Sequence, residues 1–250
     1  MTGQGQWYSR LDSGLPGTLR LFCFPHAGAN SYVFRPWANQ LPPSVEIWGV
    51  HLPGRAPRLR ERACTRMTSL VPTLAAHLPC TLPFAFYGHS NGALVAFELA
   101  RWLYRAGAAV PRHLFLSGYA APQQPLRRGP LHQLADEEMV HALRRFQGMP
   151  QDILDNAELM QLLLPVIRAD FELSETYVHE RGEPLPCGIT CFGGTGDDDA
   201  THEDLLQWRE HTRGTFRVHS FEGNHFFLFQ SDRFLSILRE ELSAVCPPDF

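Results

Sequence analysis

The chain has 250 residues, of which 44% are apolar, 11% aromatic and 19% charged, with a formal net charge of −4. A chain this long buries about 70–75% of its unfolded surface, which excludes pervasive disorder. The absence of a long apolar run, of a basic stripe and of any lysine argues against a membrane-spanning helix, a nucleic-acid binder, and Schiff-base or Walker-type phosphate chemistry. The first 17 residues are polar and glycine-rich and lack a basic-then-apolar signal pattern, so a cytoplasmic location is expected.

In chain order, strands are expected at 19–24, 45–51, 84–87, 113–117, 189–192 and 216–221, several of them continuous apolar runs suited to a sheet covered on both faces. Helices are expected between them at 31–41, 67–78, 92–106, 205–212 and 232–245. This alternation predicts an α/β fold with a mostly parallel sheet and helices on both sides. From about 131 to 177 the pattern is helical with no strand. Segments 136–146, 157–164 and 166–178 are expected as helices of a lid inserted into one domain spanning 1–250. The first of them opens on Asp136-Glu137-Glu138 and closes on Arg144-Arg145, which suits the helix dipole. Cys23 and Cys191 lie in apolar strand runs and read as buried thiols; Cys187, Cys191 and the histidines match no zinc spacing, so no metal is expected.

The pentapeptide Gly88-His89-Ser90-Asn91-Gly92 follows a strand and opens a helix, the context of a nucleophile elbow. A serine there sits on a strained turn with its hydroxyl projecting above the sheet, and residues two before and two after must be tiny. A serine needs a base, and the base an orienting acid. His225, in Gly223-Asn224-His225-Phe226-Phe227 after the last strand, is the candidate base. Three adjacent acids, Asp197, Asp198 and Asp199, follow strand 189–192; Asp197 is the first choice and Asp198 the second. Two backbone N–H groups must stabilise the oxyanion. Asn91 supplies one, and Ala27, in the tight loop Pro25-His26-Ala27-Gly28-Ala29, the other. His26 is expected to structure that loop, and His89 to pack beneath the elbow.

These residues resemble the type II, or editing, thioesterases of nonribosomal peptide and polyketide biosynthesis, within the α/β-hydrolase superfamily. The likeness runs over nearly the whole chain. It includes 21–28 (LFCFPHAG), 52–55 (LPGR), 83–90 (PFAFYGHS), 92–98 (GALVAFE), 164–171 (LPVIRADF), 175–177 (ETY) and 223–227 (GNHFF). The resemblance implies a Ser90, Asp197, His225 triad, an oxyanion hole from the Ala27 and Asn91 amides, and a mobile helical lid. It also implies hydrolysis of aberrant or stalled acyl groups from the phosphopantetheine arm of acyl or peptidyl carrier proteins, without a cofactor of the enzyme's own. A monomer that engages its carrier transiently is expected.

Three positions depart from the family pattern. Asn91 replaces the usual Met and is expected to place a polar amide at the acyl mouth. Asn224 replaces Gly in a turn where positive φ is tolerated by Asn. Ala29-Asn30 stands where a second glycine is common, which is expected to tighten the loop. Two arginine groups, Arg55/Arg58/Arg60/Arg62 and Arg127/Arg128/Arg144/Arg145, are candidate docks for an acidic carrier protein. Met139, Leu143, Phe146, Leu163 and Phe171 are candidate walls of an acyl pocket. Two other functions remain open: a general serine esterase or acyltransferase acting on free esters, and a non-catalytic binding protein on a hydrolase scaffold. The second would be expected to have a broken triad.

Overall fold

A computed structural model describes residues 6–12 and 14–246. The strands are β1 (Tyr8–Arg10), β2 (Leu19–Phe24), β3 (Val45–Val50), β4 (Phe84–His89), β5 (His113–Ser117), β6 (Gly188–Gly194) and β7 (Phe216–Phe221). They form one sheet in the order β1-β3-β2-β4-β5-β6-β7. Only β1 runs antiparallel, against β3; every other neighbouring pair is parallel. The expected α/β class and the six predicted strands are therefore present. The three-residue β1 escaped the sequence pattern because it is too short to show alternation.

Along β2, Phe22 and Phe24 enter one apolar cluster while Leu19, Leu21 and Cys23 enter another, on the opposite face. The first face is covered by α1 (Met67–His77), α2 (Asn91–Arg105) and the segment of α6 (His202–Leu206) that runs into a 3-10 helix at Gln207–His211. The second is covered by a 3-10 helix at Ser31–Asn39 and by α7 (Asp232–Val245). Two expected α-helices are thus partly or wholly 3-10 in form. At 31–39 the fixed ring of Pro36 interrupts α-helical hydrogen bonding. Asn30 caps this turn, its Oδ1 accepting the Tyr32 N–H at 2.9 Å, so Asn30 ends the loop after β2 by starting a helix.

Between β5 and β6 lie α3 (Asp136–Phe146), α4 (Gln151–Leu154) and α5 (Ala157–Glu175), with their own apolar cluster of Met139, Leu143, Leu154, Met160, Leu164, Ile167 and Phe171. The expected break near residue 165 is absent: α5 runs unbroken through Pro165. Proline removes one N–H from the helix, but Met160 and Leu164 before it and Ile167 and Phe171 after it are buried in the same cluster, which holds the helix together.

Among the described residues, no helix is long and apolar enough to cross a membrane. Several histidines are buried as neutral rings. His51 lies between the Ser9 and Ser31 hydroxyls at 2.6 and 2.8 Å, and His113 Nε2 meets the Thr190 hydroxyl at 2.8 Å. Burial pushes both down to about 4. An unfolded histidine titrates near 6.5, so between these values the unfolded chain binds protons that the folded chain does not. The contribution is complete above about pH 6.5 and is lost as pH falls toward 4. The unfolding free energy from denaturant titrations between pH 7.5 and 4.5 is expected to fall through this window, by on the order of 1 kcal/mol per pH unit per buried histidine. A flat profile would show that these rings are not buried neutral.

Candidate active site

Ser90 occupies the turn between β4 and α2 at φ 54°, ψ −125°. This is a sparsely populated region for a non-glycine residue and carries a strain of roughly 1–3 kcal/mol. Packing enforces it. A Cβ on Gly88 would lie 2.3 Å from the Gly92 carbonyl oxygen, and a Cβ on Gly92 would lie 2.2 Å from that of Phe24. Three backbone segments (β2, β4 and the start of α2) therefore meet at distances only glycine allows. The Ser90 N–H donates to the Ser117 carbonyl at 2.7 Å, tying the turn to the end of β5.

Asp197 and His225 follow the next two strands. The loops that carry them are stitched together: Thr195 N–H donates to Phe221 O at 2.8 Å, and Gly196 N–H to Gly223 O at 2.8 Å. Gly194 permits this approach, since its Cβ would lie 2.3 Å from Asn224 O. His225 Nδ1 then meets Asp197 Oδ2 at 2.8 Å, with both side chains buried. The second carboxylate oxygen of Asp197 accepts the Asp199 N–H at 3.0 Å. Asp198 is exposed, and Asp199 pairs with Arg128 at 3.3 Å. The geometry thus separates the three acids that the sequence left adjacent.

Ser90 and His225 line one open cavity with His26 and Ala27. Leu143, Phe146, Met149, Ile167 and Phe171 form its apolar wall. Of the candidate wall residues, Met139 lies instead within the packed lid and Leu163 is also not part of the wall. The helical insertion rests on the loop that carries His225: the Phe146 ring lies 5.7 Å from that of His225, and Gly148 packs so tightly on Phe226 that a Cβ there would meet the ring at 1.9 Å.

Two further imidazoles, His26 and His89, lie near His225, and burial disfavours the charged form of each. His89 is fully buried beneath the elbow, its Nδ1 against the Ser117 hydroxyl at 3.0 Å and its ring 5.1 Å from that of His225. Burial pushes it well below the usual range. His26 donates from Nδ1 to Ala27 O at 3.1 Å and stands edge-on to Phe226; burial brings it down to about 4. Among the described residues, no cluster of acids, cysteines and histidines is arranged to hold a metal.

Several expectations change. The Asn91 side chain is buried and does not form part of the cavity wall; its Nδ2 donates to the Asp170 carbonyl on α5 at 3.0 Å. An amide at the first turn of α2 is drawn inward by a lid carbonyl rather than outward to the acyl mouth. Its backbone N–H, at the start of a helix, has no acceptor within the helix. Positive φ after β7 falls on Gly223, at 134°, and not on Asn224. The Asn224 side chain instead accepts the Phe226 N–H at 2.8 Å and donates to Gln147 of the lid at 2.6 Å.

The arginine groups divide in the same way. Arg55 and Arg58 are buried, paired with Asp170 and Glu61, which removes them from any docking face. Arg127 is chelated by Asp204 and Arg128 bridges Glu175 and Asp199. Arg144 pairs with Asp155 at 2.6 Å.

A sequence profile described as a thioesterase domain matches residues 19–242. The chain belongs to the thioesterase family. This thioesterase is 38% identical over 246 residues to the gramicidin S biosynthesis protein GrsT of Aneurinibacillus migulanus, covering 97% of this chain and 96% of that protein. Its structure is similar to that of RedJ, a thioesterase from the prodiginine pathway of Streptomyces coelicolor, with TM-score 0.86, 38% identity and coverage of 92% and 94% of the two chains. It also resembles BorB, a type II thioesterase from the borrelidin cluster, with TM-score 0.85, 34% identity and coverage of 97% and 100%.

The thioesterase is expected to lose about 10⁴-fold in kcat on Asp197→Asn, through loss of the imidazole tautomer and orientation. Asp198→Asn should stay within about two-fold, since an exposed carboxylate outside the pair has little to lose. Hydrolysis of an acyl-N-acetylcysteamine thioester by the two variants decides the matter; equal losses would remove Asp197 from the site.

Proposed function

We propose that this protein is a stand-alone editing thioesterase that hydrolyses aberrant or stalled acyl groups from the phosphopantetheine arm of carrier proteins. The observation that carries the reading is the buried His225–Asp197 pair at 2.8 Å, with His225 lining the same cavity as a serine held at φ 54°. The names of GrsT, RedJ and BorB, all tied to natural-product biosynthesis, support the pathway class. In this reading the enzyme works in the cytoplasm as a monomer and meets its carrier protein transiently.

Asp197 accepts the Nδ1–H of His225, which leaves the Nε2 lone pair as the base. Nε2 takes the Ser90 proton as Oγ attacks the thioester carbonyl. The Ala27 and Asn91 N–H groups receive the oxyanion, each worth about 3–4 kcal/mol of transition-state stabilisation. The C–S bond breaks, the imidazolium returns its proton to the leaving pantetheine thiolate, and an acyl-serine remains. Water then attacks that ester with His225 again as base, releasing a carboxylic acid. The neutral His26 and His89 rings leave Asp197 as the charge that stabilises the imidazolium. No cofactor takes part in any of these steps.

The cavity holds about 240 Å³, small beside the roughly 300–1,000 Å³ of typical ligand pockets. The test is hydrolysis of an acyl carrier protein beside the matching free acyl-N-acetylcysteamine, with Ser90→Ala as control. Ser90→Ala should lose about 10⁴–10⁶-fold in kcat, and the carrier-bound substrate should have the higher kcat/KM. Equal cleavage of both substrates would make the protein a general esterase. An active Ser90→Ala would remove the serine mechanism.

A further inference from the structure

Asp170 is 1% exposed, on a helix face otherwise occupied by Ile167, Phe171 and Leu173. Its carboxylate makes three short bonds. Oδ2 accepts the Gly28 N–H at 2.7 Å and Arg55 Nη1 at 2.6 Å, and Oδ1 accepts Arg55 Nη2 at 2.6 Å. Arg55 Nη1 also donates to Ala29 O at 3.2 Å. The Asp170 carbonyl accepts Asn91 Nδ2 at 3.0 Å. One residue of the lid's longest helix therefore holds both segments that carry the oxyanion donors.

The peptide planes around Ala27 show what this does. A peptide group is planar, so fixing one of its polar atoms fixes the other. The plane between Ala27 and Gly28 is held by the Gly28 N–H on Asp170 and by His26 Nδ1–H on Ala27 O. The plane that contains the Ala27 N–H is held by the Ala29 N–H on His26 O, at 3.1 Å. Ala29 is itself held through its carbonyl by Arg55. From outside the turn, Asp170 thus holds its middle, at the Gly28 N–H, and Arg55 holds its last residue, at the Ala29 carbonyl. Gly28 lies at φ 76°, where a Cβ would be 2.7 Å from Ile167 Cγ1, so the loop is also pressed onto α5 within one turn of Asp170.

A buried ion pair is a weak stabiliser compared with apolar packing of the same volume. The directions of these bonds give Asp170 a different role. We infer that Asp170, together with Arg55, is a positioning residue that aims the Ala27 N–H at the reacting carbonyl oxygen and joins α5 to the oxyanion hole. This rests on the reading that the Ala27 and Asn91 amides bind the oxyanion.

The experiment compares wild type, Asp170→Asn and the double variant Arg55→Gln/Asp170→Asn, whose neutral amides leave no unpaired buried charge if the single variant folds poorly. Each is titrated to the endpoint with a fluorophosphonate to count competent Ser90. Then kcat and KM are measured on an acyl-N-acetylcysteamine, with Kd for a trifluoromethyl ketone that forms a tetrahedral serine adduct, and Ki for the product acid. Loss of one whole donor costs about 10²–10³ in kcat. Misaiming one should lower kcat per competent site by about 10–100-fold and weaken the ketone by a similar factor, with KM and product Ki moving less than about three-fold. An unchanged ketone Kd, or a loss that vanishes once competent sites are counted, would falsify the inference. Activity surviving in Ser90→Ala would instead overturn the serine mechanism on which it rests.

Discussion

Three backbone segments meet at Ser90 at distances that exclude any side chain between them, and the rest of the site is arranged around that meeting. Gly88 and Gly92 let β4 turn into α2 directly against the end of β2. The strained serine is the product of this packing. Because β4 is flanked by β2 and β5 in a sheet covered on both faces, the turn cannot relax without disturbing both apolar clusters. The strain at Ser90 is therefore held by the whole domain core rather than by local hydrogen bonds alone.

A second constraint is electrical. His225 sits among imidazoles and phenyl rings, and burial keeps His26 and His89 neutral. Asp197 is the one carboxylate in hydrogen-bond contact with His225 among the described residues. The arginines that approach the cavity are matched by Glu175, Asp199 and Asp204. The surroundings of the proposed triad are thus balanced locally, and the net charge of the chain says little about the field at Ser90.

The elbow could be read from the sequence because its steric demand is local: two glycines spaced around one serine, after an apolar run. His225 could be singled out because no other histidine follows the last expected strand. The choice among Asp197, Asp198 and Asp199 was not settled by position alone, since it depends on which carboxylate the stitched loops turn inward. Asp170 and Arg55 were missed as partners for a related reason. A charge on a helix usually marks its solvated face, and an arginine near others reads as surface. Yet Asp170 falls on the spacing of Ile167 and Phe171, and that misplaced charge in an apolar stripe was the available signal. The inward turn of the Asn91 side chain is not legible in the sequence because its partner, a carbonyl on α5, lies far away in the chain and has no sequence signature.

Ser90 follows β4 in the middle of the sheet, whereas Asp197 and His225 follow β6 and β7, which complete its open edge. Synthesis runs from the N-terminus, so a chain still leaving the ribosome can present Ser90 long before His225 exists. The stitching of the two late loops requires β7 to be paired with β6. In the proposed mechanism, a product that stops before β7 would thus carry Ser90 without its base. By the proposed mechanism, hydrolytic activity would then report that β7 has been made and docked on β6.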